Sequence, residues 1–237
     1  MEEERWSVGM DAFGGTVGEI LGPLVLLLLK RGLPTTLELS VIALCTSILV
    51  GFLLGVVKFH RLRFIRWPVA IYVDIMRGLP FIMILFIVYH IMPLLIAFRI
   101  TEMTAAVSAL VLHEGAYFTE IIRSSLDSIP KHQTEASKAL GFNYFQRMRY
   151  VILPQAVRLT LPPAAGESVL LIKNTAVVSV IGLMELTRIG RVQMQTNLQP
   201  FLTFAVIGAF YFAICYPMLR LSTWLEGRVA GRLRATP

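Results

Sequence analysis

Long apolar segments separated by short polar stretches run along most of this chain. A helix needs about 20 apolar residues to cross a bilayer, and the shorter run at 20–29, which contains Pro23, predicts an interfacial helix ahead of the first span. The pattern predicts an all-α integral membrane protein of about five transmembrane helices, with an N-terminal lead-in at 1–32, a transmembrane region at 33–228 and a tail at 229–237. The predicted spans lie at 33–57, 68–98 and 103–122, from 161 onward, and at 201–221.

Two local features modify this pattern inside the spans. Gly51 and Gly55 have a small-xxx-small spacing, which either allows close approach of a second helix or tolerates curvature. The second apolar segment is longer than one span needs and is interrupted at 77–80, so it predicts an elbow helix followed by span two. Asp74 and Arg77 are three residues apart on the elbow, a spacing that allows an ion pair.

A polar stretch at 129–156 separates the third and fourth predicted spans and contains helix start and stop signals. Thr134 predicts the N-cap of a short helix whose first residue is Glu135, and Gly141 supplies the left-handed residue that ends it. The helix is expected to dock into a groove, because three residues at helical spacing form an apolar and mostly small face: Ala136, Ala139 and Leu140.

A second helix is predicted directly after this one. Asn143 and Gln146 have the spacing of a capping box, and Pro154 is expected to end the helix that they begin. The polar stretch therefore predicts two helices joined at a glycine.

Composition and charge place the protein in a membrane. The mean hydropathy is +0.69, 56% of the residues are hydrophobic and 16% are charged. The formal net charge is +7, but the basic residues lie between apolar spans without interleaved aromatic residues on a polar surface, which argues against nucleic acid as a partner. The acidic start at 2–4 is unlike a cleavable signal peptide, so we expect no cleavage.

The distribution of basic residues predicts the orientation of the chain. Short loops rich in Lys and Arg are retained in the cytoplasm, and such clusters occur at 58–66 and after residue 220. With five spans, the N-terminus is then outside and the C-terminus inside. The stretch at 129–156 is predicted to be cytoplasmic.

The third predicted span contains His113 and Glu114 near its middle. Ionisable side chains at bilayer depth are costly unless they are paired or face water, so both are functional candidates. The second histidine of a zinc-protease HExxH motif is missing, because Tyr117 stands in its place, and we expect no metal. A structural role remains open, in which Glu114 bonds to Tyr117, Lys173 or a partner chain.

Further polar residues occur in the fourth predicted span. Glu167 and Asn174 are seven residues apart and share one helix face, whereas Lys173 is offset by about 100° and Thr175 follows directly. The shared face predicts the lining of a translocation path. An ion pair between Glu167 and Lys173 is the structural alternative.

One pattern in the polar stretch, Glu135-Ala136 followed by Gly141 and Ile152-Leu153-Pro154, occurs together with four other blocks. These are RGLP at 77–80, EGAYFTEIIRSSLDSIPKHQ at 114–133, LPP at 161–163 and IKNTAVVSVIG at 172–182. In order and spacing the blocks resemble the polar amino acid branch of the ABC importer permeases, from roughly residue 32 to residue 228. The first pattern resembles the EAA loop, which in that family is the cytoplasmic coupling helix seated in a cleft of the ATP-binding subunit.

The resemblance implies a permease subunit of an ATP-driven importer for a polar amino acid or a related amine-bearing compound, in the bacterial cytoplasmic (inner) membrane. The implied partners are two ATP-binding subunits, a second permease subunit that is identical or related, an extracytoplasmic solute-binding protein, and membrane lipid. Because this sequence has no GxxxxGK[ST] motif, ATP and magnesium are expected on the partner, with no cofactor and no enzymatic activity here. The implied coupling residues are Glu135, Ala136, Ala139, Leu140 and Gly141.

The chain departs from these permeases at the candidate path. They typically have Asn and Ser where this chain has His113 and Glu114, and Glu167 and Asn174 replace a usual Asn and a usual Asp. Two carboxylates facing the path would favour a cationic or amine-bearing side chain. In the family, the segment near Lys173 contacts substrate or gate, so the path candidates are His113, Glu114, Glu167, Lys173, Asn174 and Thr175.

The alternative function is a proton-gradient-driven secondary transporter that uses His113 and Glu114 as a relay. Such proteins usually have inverted repeats and more spans, and neither is visible in the sequence.

Overall fold

The computed structural model describes residues 18–59, 63–96 and 99–234. Within these ranges the chain is almost entirely helical and has no strand, which confirms the predicted all-α class. The helices are α1 at Gly18–Phe59, α2 at Arg63–Gly78, α3 at 81–96, α4 at Glu102–Asp127, α5 at Lys131–Ala139, α6 at Tyr144–Ile181, α7 at Leu186–Asn197 and α8 at Pro200–Arg234.

Four helices, α1, α4, α6 and α8, are long and apolar enough to cross a membrane. Helices α2 and α3 together have the length and composition of a fifth span, but they are bent by 107° at the break between them. The break falls at Leu79 and Pro80, because proline disfavours helical backbone in the residue before it and itself has extended backbone here. The predicted elbow, and the count of about five spans, are confirmed.

The predicted lead-in helix and the first span form one continuous helix, α1. The predicted separation of the lead-in, at 1–32, from the first span, at 33–57, is wrong, because a π-helical turn at Leu28–Gly32 joins the two without ending the helix. Leu24 and Leu28 are buried against α7 and α8, so this part of α1 belongs to the same bundle. Parts of the predicted lead-in, basic cluster, second span and tail lie outside the described residues, at 1–17, 60–62, 97–98 and 235–237.

Helix α6 also extends further than predicted. Pro154 does not end a helix, because it lies in the first turn of the α-helical part of α6, directly after a π-helical turn at Met148–Ile152. The predicted start of span four at 161–163 lies well inside α6. There the carbonyl of Pro162 accepts a hydrogen bond of 3.0 Å from Ser222 Oγ of α8.

Gly51 and Gly55 allow α1 and α4 to pack backbone against backbone. A Cβ atom on Gly51 would lie 2.4 Å from the Cβ of Phe118, and one on Gly55 would lie 2.9 Å from Ile122 Cγ2. Close helix approach is therefore the role of this spacing. From the first contact to the second, the position advances by four residues on both helices, from Gly51 to Gly55 on α1 and from Phe118 to Ile122 on α4. The two helices therefore run parallel.

An ionic network not predicted from the sequence joins the ends of the same two helices. Lys58 Nζ lies 2.8 Å from Glu120 Oε2, and Arg123 Nε donates to Glu120 Oε1 at 2.9 Å. Arg123 also pairs with Asp127. The i, i+3 and i+4 spacings within α4 were visible in the sequence, but Lys58 is 62 residues from Glu120.

Helix α7 is anchored by a buried carboxylate. Glu185 is fully buried and accepts hydrogen bonds from the backbone N–H groups of Thr187 and Arg188, at 2.8 and 2.7 Å, and from the Tyr211 hydroxyl of α8 at 2.9 Å. Burial raises the pKa of the Glu185 carboxyl, and these backbone N–H groups oppose the rise. The contacts cap the first turn of α7 and fix it to α8.

We expect Gly51→Ala to destabilise the protein. The added Cβ must displace Phe118 or the backbone of α4, which costs about 1–3 kcal/mol, so the melting temperature of the detergent-purified protein should fall. Gly208→Ala on α8 is the matched control, because a Cβ there meets nothing within 4 Å. Equal melting temperatures for the two variants would contradict the close approach.

Candidate functional site

Glu114 lies at the centre of a buried polar cluster between α4 and α6. Its side chain is completely buried, and its Oε1 accepts a hydrogen bond of 2.8 Å from Asn174 Nδ2. The same oxygen lies 3.2 Å from His113 Nδ1. The bond to Asn174 joins residues 60 positions apart, so only the tertiary structure brings them together.

The other carboxylate oxygen of Glu114, Oε2, has no hydrogen-bond partner within the described part of the chain. Glu167 and Asn174 both belong to α6, seven residues apart, so the predicted shared face places Glu167 on the side of the helix from which Asn174 reaches Glu114. A buried carboxylate oxygen without a donor costs free energy. Oε2 of Glu114 is therefore an unused hydrogen-bond acceptor among the described residues.

Lys173 and Thr175 do not join the cluster. Lys173 is exposed, and it forms no ion pair with Glu167 or Glu114 in the described ranges, so the two structural alternatives that paired it with a carboxylate are wrong. The Thr175 hydroxyl is buried and donates to the Ile172 carbonyl of its own helix at 2.6 Å. Both residues remain path candidates by prediction alone.

Arg77, at the end of α2, lies at the edge of the cluster. Its guanidinium carbon is 5.1 Å from the centroid of the Tyr117 ring, and that ring is 5.1 Å from the His113 ring. The predicted pair with Asp74 is wrong, because Asp74 is exposed and takes part in none of the ion pairs of the described residues. Tyr117 contacts Arg77 through its ring and makes no hydrogen bond to Glu114 in this part of the chain.

Helix α5 begins four residues before the predicted start. It runs from Lys131 to Ala139, so Thr134 lies inside the helix and does not cap it. Pro130 immediately precedes the helix and has extended backbone, which sets the chain direction there and outweighs the capping preference of Thr134. Glu135 consequently lies in the second turn of α5.

The end of α5 and the start of α6 are as predicted. Gly141 has a φ of +78°, the left-handed conformation that glycine adopts without strain. The Phe142 N–H donates to the Ser137 carbonyl at 3.1 Å across this turn. Asn143 and Gln146 form the predicted capping box, with both hydrogen bonds at 2.9 Å.

One face of α5 is held against the protein and the opposite face is exposed. Ser137 is the buried residue of this helix, and at 100° per residue Glu135 and Ala139 lie about 160° from it. Leu140 is 75% exposed. All five predicted coupling residues are exposed: Glu135, Ala136, Ala139, Leu140 and Gly141. This small, partly apolar face is suited to contact another protein.

A helical bundle with ionisable residues buried between its spans and a short helix exposed at one end is typical of a membrane transport protein. Residues 47–231 match the family described as the inner membrane component of binding-protein-dependent transport systems. The chain belongs to this family and is a transmembrane permease component, as the resemblance implied.

Relatives and solved structures agree with this assignment. The arginine transport system permease protein ArtQ of Bacillus subtilis (strain 168) is 36% identical over 176 residues, which cover 74% of this chain and 78% of ArtQ. The glutamine transport system permease protein GlnP of Escherichia coli (strain K12) is 33% identical over 205 residues, which cover 85% and 93%.

Among solved structures, a crystal structure of an amino acid ABC transporter with histidines is similar, with a TM-score of 0.78 and 30% identity over 88% of this chain and 95% of that one. An inward-facing structure of the MetNI methionine ABC transporter is 22% identical, with a TM-score of 0.69 over 84% and 96%, and shares the fold.

We expect Asn174→Asp to destabilise the cluster and Glu114→Gln to reverse that loss. The first change removes the amide donor and places two carboxylates at the 2.8 Å contact, which costs about 1–3 kcal/mol. In the double variant, the new amide can donate to the new carboxylate. Melting temperatures in detergent measure the effect, with Lys173→Asp at the exposed neighbour as control. A double variant no more stable than Asn174→Asp alone would contradict the pairing.

Proposed function

We propose that this chain is the permease subunit of an ATP-driven importer for a polar amino acid or a related small amine-bearing compound. The observation that carries the proposal is the exposed face of α5, which lies directly after α4, the helix that contains Glu114. The amino acid class is supported by relatives that are named for transport of arginine, glutamine and cystine.

Coupling proceeds from the exposed face of α5 into α4. Helix α4 ends at Asp127 and α5 begins at Lys131, so a displacement of α5 must move the end of α4. Ile129, in the connection, is buried with Leu126 of α4 and Ile152 of α6, which ties α5 to both spans. A short helix with fixed ends moves as a unit, and its movement switches the pathway between inward- and outward-facing states.

ATP hydrolysis belongs to a separate subunit, since this sequence lacks the motif that cradles ATP phosphates. The complete transporter contains two ATP-binding subunits, this chain, a second permease subunit that is identical or related, and an extracytoplasmic solute-binding protein. Exposed apolar side chains on α1, among them Leu49 and Leu53, face membrane lipid.

The N-terminus is outside and the C-terminus cytoplasmic in this proposal, in a bacterial inner membrane. The basic cluster at 58–66 supports a cytoplasmic end of α1. Because α1 and α4 run parallel, α4 then also ends in the cytoplasm and presents α5 there. The proton-gradient-driven alternative, with His113 and Glu114 as a relay, finds no support in the relatives or the solved structures.

We expect the double variant Glu135→Lys, Ala139→Asp to lose the ATP-binding subunit. Both side chains lie on the exposed face of α5, where the new charges would be buried unpaired in the interface. The measurement is purification of the tagged chain from native membranes in mild detergent, followed by identification of the proteins that accompany it. Glu226→Lys, an exposed charge reversal on α8, is the matched control. Retention of the ATP-binding subunit by the double variant would contradict the docking role of this face.

We expect Glu114→Gln and Glu167→Gln to weaken discrimination in favour of cationic ligands. Removing a carboxylate from the cluster removes its attraction for a cationic side chain of the ligand, worth roughly tenfold or more. The measurement is the ratio of initial uptake rates of arginine and glutamate into vesicles that contain the complete transporter. Glu38→Gln, at an exposed position on α1, is the control. An unchanged ratio in both cluster variants would contradict the role of these carboxylates.

A further inference from the structure

An apolar groove lies between α1 and α6, and α4 forms its floor. The groove has a volume of about 420 Å³. Its rim is exposed, because Leu49 of α1 is 58% exposed and Val157 of α6 is 51% exposed. The floor consists of three buried residues, Phe118, Ile122 and Leu126. Among the described residues that line the groove, the one hydroxyl, on Thr160, donates to the Ala156 carbonyl at 2.8 Å, so the groove suits an apolar ligand.

The groove lies on the side of α4 that is opposite the polar cluster. Ile122 follows His113 by nine residues, which is about two and a half turns, so the two side chains point in opposite directions. Leu126 has the same relation to Tyr117. In the proposed importer a second permease subunit shares the path and therefore lies on the polar side, which leaves the groove to lipid.

The proposed orientation places the groove in the cytoplasmic half of the membrane. Lys58 is at the cytoplasmic end of α1, and the groove residues of this helix run from Cys45 to Phe52. At 1.5 Å per residue, they lie about 9–20 Å from Lys58 along the helix axis. The hydrocarbon core of a bilayer is about 30 Å thick, so the groove reaches the depth of one leaflet. An acyl chain of an inner-leaflet lipid matches this position.

Two arginines of α6 flank the groove. Arg158 is exposed and lies three residues before the groove residue Leu161, so the two are neighbours on the helix surface. Arg149 is exposed and lies about one turn before the groove residue Leu153. Neither arginine takes part in the ion pairs found among the described residues. Side chains lean toward the N-terminus of their helix, which is the cytoplasmic end of α6, so both arginines lean toward the inner headgroups.

An exposed aromatic side chain accompanies these arginines. Tyr150 is 65% exposed, and its ring centroid lies 6.0 Å from the guanidinium carbon of Arg149. Tyrosine is enriched where a membrane protein passes from hydrocarbon to headgroups. The start of α6 thus has the composition of a headgroup contact, directly beside an apolar groove.

We propose that this groove binds an acyl chain of an anionic phospholipid from the inner leaflet, whose phosphate headgroup contacts Arg149 and Arg158. The inference rests on the proposed function, which sets the orientation of the chain, and adds a specific lipid to it. The lipid completes the packing of α1 and α6 on α4. Because α4 carries the polar cluster and leads to α5, lipid binding stabilises the helix on which the proposed coupling depends.

The test measures how lipid stabilises the purified complex of permease and ATP-binding subunits. The complex is stripped of lipid in detergent, and the melting temperature of the permease is followed as one compound is added. The compounds are phosphatidylglycerol, phosphatidylcholine with the same acyl chains, and glycerol phosphate. The first two differ in net charge, and the third has a phosphate without acyl chains.

Phosphatidylglycerol is expected to raise the melting temperature at a lower concentration than phosphatidylcholine, and glycerol phosphate is expected to have no effect. Arg149→Gln and Arg158→Gln should each weaken the binding of phosphatidylglycerol about fivefold, because one basic contact is lost, and leave that of phosphatidylcholine unchanged. Arg220→Gln is the matched control, an exposed arginine that lies over the Tyr216 ring on α8.

Ala164→Phe tests the groove itself. The larger side chain occupies the space of the acyl chain, so stabilisation by both lipids should be lost. Leu170→Phe, at an exposed position of α6 outside the groove lining, is the control. The melting temperature without lipid shows whether each variant is folded, and the two arginine variants test the same site without filling it.

Four results would overturn the inference alone. Three are an unchanged lipid response of Ala164→Phe, an unchanged preference for phosphatidylglycerol in both arginine variants, and stabilisation by glycerol phosphate, which would indicate a site for free phosphate. The fourth is loss of the second permease subunit from Ala164→Phe, which would make the groove a subunit interface. A complex that binds phosphatidylglycerol as expected but takes up no polar amino acid in vesicles would contradict the proposed function instead.

Discussion

The close approach of α1 and α4 at Gly51 and Gly55 is the contact on which the rest of the bundle depends. Lipid tails are as apolar as leucine, so association of spans relies on packing and hydrogen bonds, and only glycine permits this backbone separation. The contact sets α1 and α4 parallel and brings Lys58 to Glu120 at their ends. It thereby fixes the helix that carries both the polar cluster and the connection to α5.

The polar cluster is held by a few hydrogen bonds between distant parts of the chain. Glu114 is completely buried, and its amide partner Asn174 and neighbour His113 offset part of the cost of burying a carboxylate. Among the residues that the structure describes, one carboxylate oxygen of Glu114 has no donor, so the hydrogen bonding of the cluster is incomplete there. Helix α4 connects this cluster to α5 through three residues, so ligand contact and partner contact act on one rigid element.

Local signals in the sequence succeeded where nothing competed with them. The capping box of Asn143 and the left-handed Gly141 form as predicted, because each depends on neighbours within a few residues. Thr134 does not cap a helix, because the helix already begins after Pro130. Pro154 does not end a helix, because it directly follows a π-helical turn and lies in the first turn of the α-helical part of α6. The predicted separation of the lead-in from the first span also failed, since a π-helical turn that includes the buried Leu28 keeps the helix continuous.

The sequence by itself determined the number and kind of spans, the elbow at the second span and the exposed helix between α4 and α6. These follow from hydrophobic length and from residues close together in the chain. Only the tertiary structure decided which polar residues meet: Glu114 bonds to Asn174, and Arg77 contacts Tyr117 instead of the predicted Asp74. Sequence spacing specifies the direction of a side chain on its own helix, but the helix facing it is set by how the spans pack.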